Sequence, residues 1–273
     1  MTRLIALEWL KLKNYKVFWI LLVLYFAGLA IIYGGGMFLL QYLKNQGADL
    51  DGIDPTIIPL YDFPDIWQNG TYIATFFKII LSFIIIISVT NEISYRTLRQ
   101  NIMDGLSKRE FLLSKLLLII WIALAATVFI FLEGLVMGLL YSNVTAAAYI
   151  FQDLEFLPAY FLEVCTFLSL AFLLSLLLKK AGFVIVLIFM YTLIFEPFLT
   201  VNLLHNPHIP DTFDWIIPFL PIYALNQLIQ VPFPKYIFRE IQDYVAITDI
   251  MIVLGWLMIY NLLIYRVLKK KDV

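Results

Sequence analysis

The chain has 273 residues, of which 62% are hydrophobic and only 14% charged, with a formal net charge of −1. Soluble domains are about half apolar and about a quarter charged, so a water-facing globule is excluded and lipid is the expected solvent. A single cysteine, Cys165, lies in an apolar run and rules out an intrachain disulfide or a cysteine metal cluster.

The first expected element is a short helix over residues 2–16. Ile5, Trp9, Leu12 and Lys16 share one face, with Glu8 and Lys11 placed elsewhere, which is the pattern of a helix lying in a membrane interface. An apolar run over 17–40 follows. Its stretch 17–32 is longer than a usual signal-peptide core and carries no A-x-A site, so it reads as a retained first span. Further spans are expected at 72–91, 112–141, 157–178, 182–203 and 247–266, each near the roughly 20 apolar residues needed to cross a 30 Å core. The runs are continuous rather than alternating, which excludes a barrel. The fold class is therefore an all-α integral membrane protein of six helices, read as one domain over 1–273.

Basic residues assign the sides. Arg3, Lys11, Lys13 and Lys16, the 96–115 group, Lys179, Lys180, Arg266 and 269–271 fall on one side; the acidic loops fall on the other. Both termini are expected in the cytoplasm. Two outer loops, 41–71 and 204–246, are unequal in length. Within the second, 215–229 is too short to span and too apolar to be solvated, so it is expected as a re-entrant or interfacial piece.

The segment 91–115 is too elaborate for a simple connector. Residues 97–103 suit a short helix ended by Gly105 at positive φ. Ser107 and Glu110 form a capping-box pattern for the third span. The charges Arg96, Arg99, Lys108 and Arg109 have a plain reading as topology signals, which leaves Gln100, Asn101 and Gly105 unexplained.

Four ionisable residues, Lys78, Glu133, Glu163 and Glu196, lie within spans at a common depth of about 9–12 Å from the outer ends. Intramembrane charges mark cavities or pair with one another. Two readings stand: an outer vestibule with Lys78 paired to a glutamate, or structural ion pairs and snorkelling. Glu196-Pro197 predicts a kink in the fifth span. Gly134 and Gly138 form a G-x-x-x-G, frequent by chance. His205 and His208 lack a third metal ligand, so no metal site is assigned. Asn69 and Asn143 begin glycosylation-type sequons.

The residues Glu92, Thr97, Leu98, Ile102, Ser107, Lys108, Arg109 and Lys115, together with the six-span layout, resemble the ABC-2 type permeases, membrane subunits of ATP-driven exporters. Arg96 stands where that family commonly has glycine. The resemblance implies that Glu92, Arg96, Thr97, Leu98, Arg99, Gln100, Asn101 and Asp104 belong to a coupling helix seated in a cytoplasmic ABC ATPase. Glu8, Trp9 and Lys11 would brace it from the interfacial helix. It also implies a dimer with a second copy or a homologous permease, surrounded by lipid in a plasma (bacterial inner) membrane. No G-x-x-x-x-G-K-[ST] loop is present. ATP and Mg would therefore be used by the partner, and this chain is expected to be neither an enzyme nor a cofactor binder. No nucleic-acid partner is expected. The competing reading is a non-transporting polytopic protein with an immunity, assembly or membrane-enzyme role.

Overall fold

The structure is a computed structural model that describes residues 2–46, 60–205, 211–232 and 242–270. Among these residues every regular element is helical. In order they are α1 (Thr2–Lys13), α2 (Lys16–Gly34), α3 (Gly36–Asn45), α4 (Ile66–Ser94), α5 (Thr97–Met103), α6 (Lys108–Tyr141), α7 (Ala147–Ile150) and α8 (Phe156–Leu178). There follow α9 (Ala181–Met190), a π-helical turn (Tyr191–Phe195), α10 (Glu196–His205), a 3-10 segment (Asp211–Phe219), α11 (Pro221–Leu228) and α12 (Ile247–Lys270).

Six of these units are long and apolar enough to cross a membrane: α2, α4, α6, α8, the run Ala181–Leu204 and α12. Helix α8 forms the centre of the bundle, packed against α4, α6 and α12. Its apolar window is 72% buried, against 17% for α12, so α8 is shielded by protein while α12 turns most of its surface outward. Large apolar side chains on the outer helices, such as Ile31, Phe198 and Met258, are exposed. That surface is stable only with lipid, or a further protein, beside it.

Most span boundaries follow the sequence, and the departures have local causes. Helix 1 stops at Lys13 rather than 16, because the chain turns at Asn14 and Tyr15 into α2. The first span breaks at Gly35, whose N–H bonds to Ile31 O, so 17–40 becomes two helices. The second span begins at Ile66, six residues before position 72, although polar side chains lie there. Their donors are satisfied internally: Trp67 Nε1 donates to Ile150 O at 2.8 Å and Asn69 Nδ2 to Leu60 O at 2.8 Å. Asn69 is thus a buried helical residue, and its sequon has no accessible acceptor. The sixth span runs on to Lys270.

The G-x-x-x-G of the third span is filled by this chain's own rings. A Cβ on Gly138 would stand 2.3 Å from the Phe63 ring, and one on Gly134 3.0 Å from Trp67. Both glycines let aromatic rings from the start of the second span close against α6. Residues 215–229 are helical for most of their length, and α11 packs against α8, α10 and α12. His208 lies outside the described residues. Lys108 Nζ donates to Lys269 O at 3.4 Å, which puts the start of α6 and the end of α12 on one side of the bundle.

Candidate functional site

The site is built where four elements meet on the side that carries the basic residues. Lys115 lies about 10 Å along α6 from its first residue, and it is fully buried. An ammonium carries three N–H donors, and the surroundings accept all three. Lys115 Nζ donates to Glu8 Oε2 at 2.6 Å, to Ser88 Oγ at 2.8 Å and to Glu92 Oε1. Glu8 comes from α1; Ser88 and Glu92 come from the last turns of α4.

A second lysine closes the cluster from outside. Lys11 Nζ donates to Glu8 Oε1 at 3.3 Å and to Glu92 Oε2 at 3.1 Å, with its side chain 35% exposed. Ser114 Oγ donates to Glu8 Oε1 at 3.1 Å. Two cations face two anions, so the charges cancel and every carboxylate oxygen has a partner. Unpaired, any one of these ions would be strongly unfavourable in an apolar surround. Burial pushes the Glu8 carboxyl up, but Lys115 and then Lys11 pull it down further, leaving it below its ordinary value.

This arrangement corrects the sequence reading of α1. Leu4, Glu8 and Leu12 are buried, while Trp9 is 51% exposed and packs edge-to-face on Trp19. The inward stripe therefore runs through Glu8 and excludes Trp9, because Lys115 supplies the counter-charge that makes burial of a carboxylate favourable. Sequence reasoning counted Lys115 among the topology lysines and gave it no site role. Its signal was available: a lysine two turns inside an apolar run must find an acid, and Glu92 ends the neighbouring span.

The short helix α5 hangs directly from this cluster. Arg96, in front of it, has φ +57, the left-handed conformation that glycine adopts most easily. Thr97 Oγ1 donates to Glu92 O at 3.3 Å. The far end is a Schellman cap: Leu106 N–H bonds to Asn101 O at 2.9 Å and Gly105 N–H to Ile102 O at 3.1 Å, with Gly105 at φ +97. Ser107 and Glu110 then form the reciprocal capping box at the start of α6. Both ends of α5 are therefore set by local chemistry.

Leu98 is the buried anchor of α5, while Arg96, Arg99, Gln100, Met103 and Asp104 are exposed. That leaves a two-turn helix with one apolar foot in the bundle and a mixed basic, amide and thioether face outside. Cavities flank it. One of about 270 Å³ is lined by Lys11, Tyr15, Ser88, Glu92, Thr97 and Asn101. Another, of about 210 Å³, involves Arg3, Glu8, Lys11, Asn101, Asp104 and Ser114. Lys11 and Asn101 border both.

Of the four intramembrane charges, the structure brings together only Lys78 and Glu163. They form a buried ion pair between α4 and α8, and Asn226 Oδ1 accepts from Lys78 Nζ at 3.4 Å. Glu196 instead caps α11, its Oε1 accepting from Ile222 N at 2.6 Å and Tyr223 N at 2.8 Å. Those are orphan donors of a helix whose first residue, Pro221, has no N–H. Glu133 lies apart, beside Gly34 where α2 breaks. In the fifth span, the expected disruption before Pro197 takes the form of the π-helical turn. That turn accommodates a proline ring that would clash with the carbonyl four residues back.

The sequence matches the family model described as ABC-2 family transporter protein over residues 3–273. Among curated proteins the chain finds no match.

Proposed function

The chain belongs to the ABC-2 transporter family, as a membrane component of an ABC transporter, and from that premise we propose that it is the permease half of an exporter driven by a separate cytoplasmic ATPase. In this reading α5 is the coupling helix, docked through Arg96, Arg99, Gln100, Asn101, Met103 and Asp104. The partner binds and hydrolyses ATP with Mg; this chain supplies the path. Two six-span subunits and two ATPases form the working unit in a plasma (bacterial inner) membrane, with both termini cytoplasmic.

The observation that carries the reading is the ion cluster beneath α5. A force on α5 meets Thr97 and Leu98, then Glu92 at the end of α4, and from Glu92 the buried Lys115 of α6 and Glu8 of α1. Helix α4 in turn lies against α8, at the centre of the bundle. A simple connector would have no need of a fully satisfied ion cluster under it. Such networks hold helices in one arrangement, since half-satisfied alternatives are costly.

The test is co-purification and turnover. The chain, expressed with a candidate ABC ATPase, should elute as one complex, and Leu98→Asp or Arg99→Glu should lower substrate-stimulated ATP hydrolysis at least tenfold without loss of the folded permease. Full stimulation in both variants, or an absence of any bound ATPase, defeats the proposal.

A further inference from the structure

Most threonines in the spans follow one habit. Thr71, Thr75, Thr90, Thr127, Thr166 and Thr200 each donate their hydroxyl to a carbonyl one turn back in the same helix. This is the usual way to satisfy a hydroxyl in lipid. Thr192 is buried, and its Oγ1 has no hydrogen-bond partner among the described residues. It sits in the π-helical turn Tyr191–Phe195. π-Turns of this kind are frequent at functional sites.

Thr192 borders a cavity of about 220 Å³ shared with Tyr72, Thr75, Lys78 and Asn226. Lys78 is 3% exposed. Glu163 and Asn226 take two of its N–H donors, leaving a third for a ligand. The cavity is also lined by Phe76, Leu193 and Val231, all exposed apolar side chains. A mostly apolar chamber that carries these few polar groups thus opens at a rim of exposed apolar side chains.

We propose that this cavity binds the polar group of an uncharged amphiphile that enters from the lipid, a molecule presenting an ester carbonyl or hydroxyl to Thr192, Lys78 and Asn226. The polar groups fit a hydrogen-bond acceptor. The lack of charge follows from Glu163, which already neutralises Lys78, so that an anionic head group would bring an unanswered charge into a low-dielectric site. The tail stays in lipid beyond Phe76 and Leu193. As an assignment of cargo class the inference rests on the permease reading, but binding is measured without any ATPase, so its failure is separate from a failure of coupling.

The experiment uses the purified full chain in phosphatidylcholine nanodiscs doped with one of two photoreactive lipids. One is a diacylglycerol with a diazirine near its ester; the other is phosphatidic acid with the same chains. Diacylglycerol should label peptides of α4 and the π-turn at least fivefold more than phosphatidic acid, and unlabelled diacylglycerol should compete. Thr192→Val, nearly the same shape without the hydroxyl, should reduce that labelling at least threefold. Val231→Trp, a change at an exposed rim position, should block it by filling the mouth. Thr200→Val, whose hydroxyl is bonded within its own helix, should leave it unchanged. Equal labelling by the two lipids, preference for phosphatidic acid, or full labelling in both Thr192→Val and Val231→Trp overturns the proposal.

Discussion

Replacing Lys115 with Met should free α1 from the bundle. The substitution keeps most of the side chain's length and removes the most deeply buried charge in the cluster. Glu8 and Glu92 are then left facing one another with Lys11 alone, and Ser88 loses its donor. Breaking a buried ion pair by deleting one partner costs about 3–5 kcal/mol. Removing Lys11 is a different perturbation, because its side chain is 35% exposed, and exposed pairs are worth about 0.2–1 kcal/mol. At about 1.4 kcal/mol per tenfold, Lys115→Met should raise the population with α1 undocked by roughly a hundredfold or more, and Lys11→Met by less than about tenfold. Maleimide labelling of a cysteine at Leu4, a buried position, reads that population directly. The native Cys165 is itself buried and contributes little background. Equal labelling rates for the two variants would refute the reasoning, since it depends on burial rather than on charge as such. A Glu8→Gln/Lys115→Met double variant that undocks no less than the sum of its single changes would refute it too.

Three further outcomes are expected. Because the Glu8 carboxyl is held below its ordinary value, its contribution is fully present above about pH 4.3; it should be lost only as pH falls further, through the lowered value, and the same labelling assay in an acid series reads where. Arg96→Gly should stabilise the α4–α5 turn by about 1 kcal/mol, by relieving the left-handed strain at φ +57, whereas Arg96→Val should destabilise it; thermal unfolding in detergent orders the three. Glu196→Ala should loosen α11 by about 1–3 kcal/mol, the cost of leaving two buried donors unpaired, while Glu196→Gln keeps an acceptor oxygen and costs less; hydrogen exchange at Ile222 and Tyr223 distinguishes them.

What was legible from sequence divides by the range of the interactions involved. The short helix α5 was readable to the residue, because Gly105, Ser107 and Glu110 set its surroundings through contacts only a few positions apart. The six spans were readable because hydrocarbon thickness acts on composition alone. The face of α1 was not, since the partner that draws Glu8 inward lies 107 positions away. The role of Glu196 was hidden for the same reason: a common depth in the membrane suggested common company, whereas Lys78 pairs with Glu163, Glu196 caps α11 and Glu133 lies apart from all three. Arg96 is instructive in another way. Its backbone takes the left-handed conformation that glycine adopts most easily.

The tetrad also orders events at birth. A chain emerging N-terminus first presents Glu8 well before Lys115 exists, and Glu92 before its partner too. Until the third span arrives, α1 carries an acid with only Lys11 to answer it and stays at the water boundary. When α6 inserts, its deep lysine is tolerable in lipid only once both acids have closed on it. Docking of the first helix and burial of the deep lysine are thus one event, since neither is favourable without the other.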